Sequence, residues 1–461
     1  MNPEPLRKEK DSMGEVSVPA GALYGAQTQR AIDNFTIAAR PLPWSFIRSI
    51  LLIKAAAAAT NCQLGLLSEE AARAIDQGVA ELLKNQPREQ FPVSVYQTGS
   101  GTSSNMNVNE VIAGIARKAG RELSANDQVN LGQSSNDVIP TAIHLATAQA
   151  TVIDLLPALN TLATTVRAFG NDHREVIKTG RTHLMDALPI RLEAECEAWA
   201  CQIDECVERL ECSLPRLQRL PLGGTAVGSG VNCHPRFPAL AIARLEAMTG
   251  LQLTQAPSVY KGLASLDTLV EFSGHLKSCA VALQKIANDL RWMNSGPLAG
   301  LAEIRLPALQ PGSSIMPAKV NPVIPEAVCM ACAQVIGNDT TVSLAALGGN
   351  FQLNTMLPLA AVTLVESVGL LTGSAISLAE KVFSGMTVNR EVCNQALSRN
   401  PILVTALNPL IGYLKAAEIA KIAQQEGRTV LEVAIEHTQI DRKTLVTLLD
   451  PKNLADGGDR R

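Results

Sequence analysis

The sequence predicts an all-α protein organised around a bundle of long helices, and three observations carry that expectation. Aromatic residues make up only 3 % of the 461 residues while apolar residues reach 46 %, so Ala, Leu, Val and Ile must fill the core. Such a core favours packed helices over sandwiched sheets, whose strands draw on aromatic and β-branched side chains. The second observation is a seam in which Leu269, Ser273, Leu276, Ala280, Leu283, Ala287 and Leu290 follow one another in alternating steps of four and three. Leu at one seam position and a small residue at the other lets neighbouring helices run nearly parallel or antiparallel at close approach. The third is length: a helix of about 28 residues spans about 42 Å and needs company along all of it, which points to self-association.

The other elements follow in chain order. Residues 1–133 mix helical patterns, such as 47–67, with loops rich in Ser, Gly and Asn, and are expected to form an N-terminal mixed helical domain. Residues 134–388 carry the long apolar-periodic stretches and are expected to form the central bundle. Within them, residues 143–169 have helical periodicity, and Pro157 should kink that helix or mark a restart. Residues 389–461 hold shorter helical segments separated by Asn, Pro and Gly, read as a small C-terminal helical domain.

Charge and composition exclude several classes of partner. A net charge of −3 without a long Lys/Arg run argues against nucleic acid, which demands a concentrated positive field. Ten cysteines are present without a disulfide-like pattern: Cys196, Cys201, Cys206 and Cys212 share one helical stretch. Cys329 and Cys332 form a CxxC in an apolar, Ala-rich segment with no second Cys or His pair nearby, which favours packing over a metal or redox site. Many unpaired thiols suit a reducing compartment. The N-terminal MNPEPLRKEKDSMGE lacks the apolar core of a signal peptide, and no run reaches roughly 18 uninterrupted apolar residues. The expectation is a cytoplasmic protein with no membrane partner.

Four polar segments carry candidate chemistry. In TGSGTSSNMN (98–107), glycines allow close backbone approach, while Ser100, Thr102 and Asn105 supply the hydroxyl and amide groups that suit a carboxylate. The same pattern suits an elaborate helix N-cap. GQSSND (132–137) leads into a helix expected to begin near Pro140; its Ser134, Ser135 and Asn136 suit an anion held by free backbone N–H groups, or a cap formed by Asn136 or Asp137. KTGRTHLMDALP (178–189) presents His183 in a polar loop, where a histidine can serve as an acid or base or merely be exposed. In GSSIMPAKVNP (312–322), Lys319 and Asn321 stand at alternate positions, so an extended backbone points both the same way, as a clamp for a carboxylate gaining charge. Glu326, four residues on, is placed to orient a histidine.

These four segments, in this order, resemble the fumarase/aspartase superfamily. The resemblance runs from EKDSMGEVSVPAGALYGAQTQRAIDNF (9–35) to TALNPLIGYLKAAEIAKIA (405–423), nearly the whole chain. It implies an all-α, three-domain fold whose central helices associate four-fold, with active sites shared by three subunits and no metal or organic cofactor. It further implies that Ser313 is the base, that Lys319 and Asn321 stabilise the dianionic intermediate, and that His183 paired with Glu326 handles the proton on water. Substrate carboxylates and hydroxyl would be held by Ser100, Gly101, Thr102, Ser134, Ser135, Asn136, Thr182, Ser314 and Val320, together with Lys319 and Asn321.

Within the superfamily, His183 resembles the fumarate hydratases, which add water to fumarate to give L-malate; aspartases typically carry Gln there. QSSNDV, GGTAVGSG and GYLKAAEIAK also look fumarase-like, whereas MPAKVNPVIPE and VIGNDTTV resemble aspartase. Aspartate ammonia-lyase is therefore the alternative, along with a hydratase acting on a methylated C4 diacid. A non-catalytic structural member of the fold would have no need of Ser313, His183 and Lys319, all of which are present. One departure stands out. Fumarases usually have His-Pro-Asn-Asp where this chain has Ser124, Ala125, Asn126 and Asp127, which puts in doubt the accessory dicarboxylate site expected there with Arg121.

Overall fold

The structure, a computed structural model, describes residues 5–457; the first four residues of the N-terminal segment read above, and the last four of the chain, lie outside the described residues. Helices dominate, and among the described residues the strands form five separate two-stranded pairs. The chain divides into two compact units. One comprises the residues up to Pro157 with Cys206–Ala280 and Cys332–Thr372; the other comprises Ala158–Glu205, Val281–Ala331 and the residues from Gly373 onward. The long helices Leu192–Leu217, Asp267–Met293, Val323–Ala346 and Leu357–Leu378 each contribute residues to both.

The first unit is built around the helix Trp44–Gln63, which starts directly after Pro43. Its residues are buried almost all round, from Phe46 through Ile50 and Ile53 to the run Ala55, Ala56, Ala57 and Ala58. That follows from its neighbours: the helices Glu69–Asn85, Ser135–Ala150 and Phe237–Thr249 all pack on it. A helix apolar on every face is stable only when enclosed in this way. The helix Ala26–Asn34 has no cap of its own, and the Glu110 carboxylate accepts the N–H groups of Gly25, Gln27 and Thr28 at 2.9, 2.9 and 3.0 Å instead.

The stretch expected at 143–169 is continuous with a longer run. It begins at Ser135, passes through a π-helical turn at Thr151–Leu155, and resumes as Leu156–Asp172. Pro157 does mark a restart, since the wider turn just before it absorbs the missing N–H. The start lies five residues ahead of Pro140, because a capping box of Ser134 and Asp137 opens the helix there and Pro140 falls inside it. In Asp267–Met293 all seven seam residues are buried, none of them more than 3 % exposed.

In the second unit Phe169 and Trp199 both meet the edge of Phe383, at centroid separations of 6.1 and 6.2 Å. Leu403, Leu407, Ile419, Val433 and Leu445 form the core of the C-terminal helices. An antiparallel hairpin, Ile177–Thr182 with Met185–Arg191, stands where the sequence reading expected a loop. The turn residues His183 and Leu184 carry none of the Gly or Asn that usually announce a hairpin. Its base is held by buried ion pairs: Lys178 Nζ lies 2.9 Å from both Glu195 and Glu303, and Arg181 grips the Glu303 carboxylate at 2.7 and 2.5 Å.

Among the described residues the ten cysteines form no disulfide. Two helical stretches, Ser135–Asp172 and Leu357–Phe383, are long and apolar enough to cross a membrane, but most of each lies buried within the protein.

Candidate active site

In the first unit two of the four motifs meet. Gly101 precedes the helix Thr102–Lys118 in the left-handed conformation, where a Cβ would strike the side chain of Ile139 at 2.9 Å. Only glycine fits both the φ of 72° and the space. Gly99 is packed more tightly still, since a Cβ there would lie 1.9 Å from the carbonyl oxygen of Thr355. Upstream side chains satisfy the start of this helix: Thr98 Oγ1 accepts the Ser103 N–H at 3.1 Å, and Gln97 Oε1 accepts that of Ser104 at 2.9 Å. Ser100 and Thr102 are thereby left out of capping. Their hydroxyls lie 2.8 Å apart, and Thr102 Oγ1 lies 2.7 Å from Ser135 Oγ, so three hydroxyls from two loops form one chain.

The second loop is fixed from below. Ser134, not Asn136 or Asp137, occupies the cap position, accepting the Asn136 N–H at 3.2 Å. Asp137 completes the box by accepting the Ser134 N–H at 2.9 Å, and its other oxygen accepts the N–H groups of Gly223 and Thr225 at 2.9 and 3.0 Å. Burial pushes the Asp137 carboxyl above the usual carboxylate range, while those three N–H groups oppose the shift. The Asn136 amide donates to Ala226 O at 2.8 Å, leaving its own oxygen available.

Behind this loop lies a polar seam that the sequence reading missed. Lys54, fully buried, donates to Asn130 Oδ1 at 2.9 Å and to Gln133 Oε1 at 3.0 Å. Burial pushes its pKa down to about 7, against the pull of the Asp137 carboxylate. A signal was present: Lys54 is the lone charge in the otherwise apolar run of residues 50–59.

In the second unit, Thr182, His183 and Leu184 form the exposed tip of the hairpin. His183 and Leu184 both have positive φ, 57° and 61°, as a two-residue turn of this hand requires. Non-glycine residues adopt that conformation uncommonly, leucine more rarely than histidine, so the tip is strained chiefly at Leu184. Among the described residues of one chain, no hydrogen bond or ion pair joins His183 to Glu326.

The segment 312–322 folds back on itself. A Cβ on Gly312 would lie 2.2 Å from Lys319 O. Asn321 Nδ2 donates to Gly312 O at 2.6 Å, and Lys319 Nζ donates to Asn321 Oδ1 at 2.7 Å, so the two clamp residues do converge. Ser313 Oγ accepts the N–H groups of Ile315 and Met316 at 3.3 and 3.0 Å, while Ser314 is exposed. Lys319, Val320 and Asn321 line two cavities, one of about 700 Å³ with Arg305 and Asn389, the other of about 400 Å³ with Arg291 and Glu326.

At the doubtful accessory site, Ser124 Oγ accepts the Asp127 N–H at 3.0 Å and donates to Asp127 Oδ2 at 2.7 Å, closing a turn that includes Ala125. Asn126 Oδ1 accepts from Gln27 at 3.2 Å, and Arg121 donates to Gln77 at 2.8 Å.

The predominantly helical fold, together with the families that match the chain, defines a lyase. The family described as Lyase matches residues 14–337, and that described as Fumarase C C-terminus matches 403–456. The chain belongs to this fumarase/aspartase family of lyases, on the side of the class II fumarate hydratases. It is 52 % identical over 453 residues to fumarate hydratase class II 2 of Pseudomonas aeruginosa, covering 98 % of this chain and 99 % of that protein. It is 54 % identical over 458 residues to fumarate hydratase class II of Xylella fastidiosa, covering 99 % and 97 %. The crystal structure of class II fumarase from Schistosoma mansoni superposes with a TM-score of 0.94 at 36 % identity, covering 98 % of this chain and 99 % of that one.

Proposed function

We propose that this chain catalyses the reversible hydration of fumarate to L-malate. The observation that carries the chemistry is the folded segment 312–322, which puts an acceptor of two N–H bonds, Ser313 Oγ, in the same turn as the Lys319–Asn321 clamp. An unperturbed serine hydroxyl is a poor base. Two N–H groups aimed at its oxygen, with a lysine in the same loop, favour the alkoxide. In this reading Ser313 removes the C3 proton of malate, and the electron pair flows into the adjacent carboxylate to give a dianionic intermediate. Lys319 and Asn321 neutralise that growing charge, which is the main task of the site. The C2 hydroxyl then leaves as water, taking its proton from His183, which Glu326 orients.

The Ser100–Thr102–Ser135 chain supports a carboxylate cradle, with Gly101, Ser134, Asn136, Thr182, Ser314 and Val320 completing contacts to the substrate. No hydrogen bond or ion pair joins His183 to Glu326 among the described residues of one chain, and the family resemblance supports a homotetramer whose sites draw on three subunits. The division at residues 133 and 388 belongs to the same reading, the middle part supplying the helices of the assembly. We place the enzyme in the cytoplasm, acting on a small C4 dicarboxylate without nucleic-acid or membrane partners. The accessory dicarboxylate site is read as unformed, because Ser124 is engaged by Asp127 and Asn126 by Gln27.

Absorbance assays for fumarate formation, one from L-malate and one from L-aspartate, test the reaction. Turnover of malate is expected; turnover of aspartate alone would replace the hydratase by an ammonia-lyase.

A further inference from the structure

Lys54 is a charged side chain with no exposed surface, and its two hydrogen-bond acceptors, Asn130 Oδ1 at 2.9 Å and Gln133 Oε1 at 3.0 Å, are neutral amides. Burying a cation without a directly paired anion is costly, so a chain that keeps one there obtains something from its position. The acceptors lie in the turn that runs straight into Ser134. One helix grips this turn twice: Asn61, seven residues after Lys54 and so on the same face, donates to Leu131 O at 2.9 Å. Asn130 Oδ1 also receives Asn105 and Asn109 at 3.1 and 3.2 Å, both from the helix that begins at Thr102. Lys54 therefore sits where the two hydroxyl-bearing loops are tied together from behind. The Asp137 carboxylate is already held by three backbone N–H groups and leaves the ammonium without a salt bridge.

We propose that Lys54 is a positioning residue for the dicarboxylate cradle: by holding Asn130 and Gln133 it sets the turn that presents Ser134, Ser135 and Asn136 opposite Thr102. The proposal rests on the reading of the cradle given above. Lys54 does not touch substrate, so its removal should weaken binding more than it slows the chemical step.

The test uses the full-length enzyme, with L-malate as substrate and succinate as a non-reacting dicarboxylate probe. Lys54→Met, which keeps the stem and removes the donors, is expected to raise both KM and the succinate inhibition constant about tenfold, the scale of a lost charged hydrogen bond. Its kcat should fall by a smaller factor. Lys54→Gln, which retains an amide donor, should recover part of that binding. A Lys54→Met enzyme with unchanged KM and unchanged succinate inhibition overturns the proposal, even if its melting temperature drops. If Lys54→Met does not fold, Gln133→Met decides: a raised KM with kcat less affected supports the anchor, and an unchanged KM removes it. An unmodified enzyme that does not convert malate, or whose malate turnover succinate does not inhibit, would instead overturn the reading of the cradle, and the proposal with it.

Discussion

The Thr102 hydroxyl lies 2.7 Å from that of Ser135, a contact spanning 33 residues of sequence. It joins the starts of two helices, so the side chains proposed to receive a carboxylate are aligned by one another. Thr102→Val preserves shape and removes the link. The expected result is a KM for L-malate raised about tenfold, with little change in the unfolding midpoint, read from steady-state kinetics beside a urea titration. An unaltered KM would detach Thr102 from substrate binding.

Ser313→Ala should lower kcat for malate by about 10³-fold, as expected when a positioned proton acceptor is lost. Folding should be unaffected, because the segment around Ser313 is exposed. Circular dichroism alongside the absorbance assay separates the two effects. Activity close to that of the unmodified enzyme would remove Ser313 from the role of base.

His183 holds a left-handed conformation that asparagine adopts more readily. His183→Asn should therefore stabilise the fold by about 0.5–1 kcal/mol while sharply reducing malate turnover. Denaturant unfolding and kinetics on the same preparation test both halves. A destabilised variant would mean that the imidazole makes contacts in the assembly that outweigh the strain.

His144 ties stability to pH. Its ring is buried, Nδ1 lies 2.7 Å from Leu217 O, and burial pushes its pKa down from 6.5 to about 4. The unfolded chain takes up a proton as pH falls below 6.5, whereas the folded one resists until about 4. Stability should therefore be lost across that window on acidification, by up to roughly 3 kcal/mol, and be regained on returning to neutrality. His144→Asn, which can still donate to Leu217 O, should flatten this part of the pH profile. Urea midpoints followed across the window provide the measurement.

Long-period features were legible in the sequence, and local ones only in part. The seam from Leu269 to Leu290 survives intact because helical spacing repeats for many turns, and no short-range preference competes with it. The Lys319–Asn321 convergence was legible from alternate spacing, although the backbone is not simply extended, since Ala318 turns with a φ of 65°. The hairpin beneath His183 was hidden, because its tip lacks turn residues and its base depends on Glu303, far along the chain. Capping by Ser134 rather than Asn136 or Asp137 was equally hidden. Each of the three can cap a helix, and it is the N–H groups of Gly223 and Thr225 that take one Asp137 oxygen and fix the choice.

One oxygen, Asn130 Oδ1, receives Lys54, Asn105 and Asn109 together. For a lineage drifting under selection, these four positions form a single inherited unit. Loss of Asn130 strands three donors in the interior at once, and it persists only with compensating changes among them. Hydroxyls at the front of the cradle carry no such linkage to the core. Diversification of substrate preference is therefore expected to proceed through positions such as 100, 102 and 135, while the seam behind them passes unchanged between descendants.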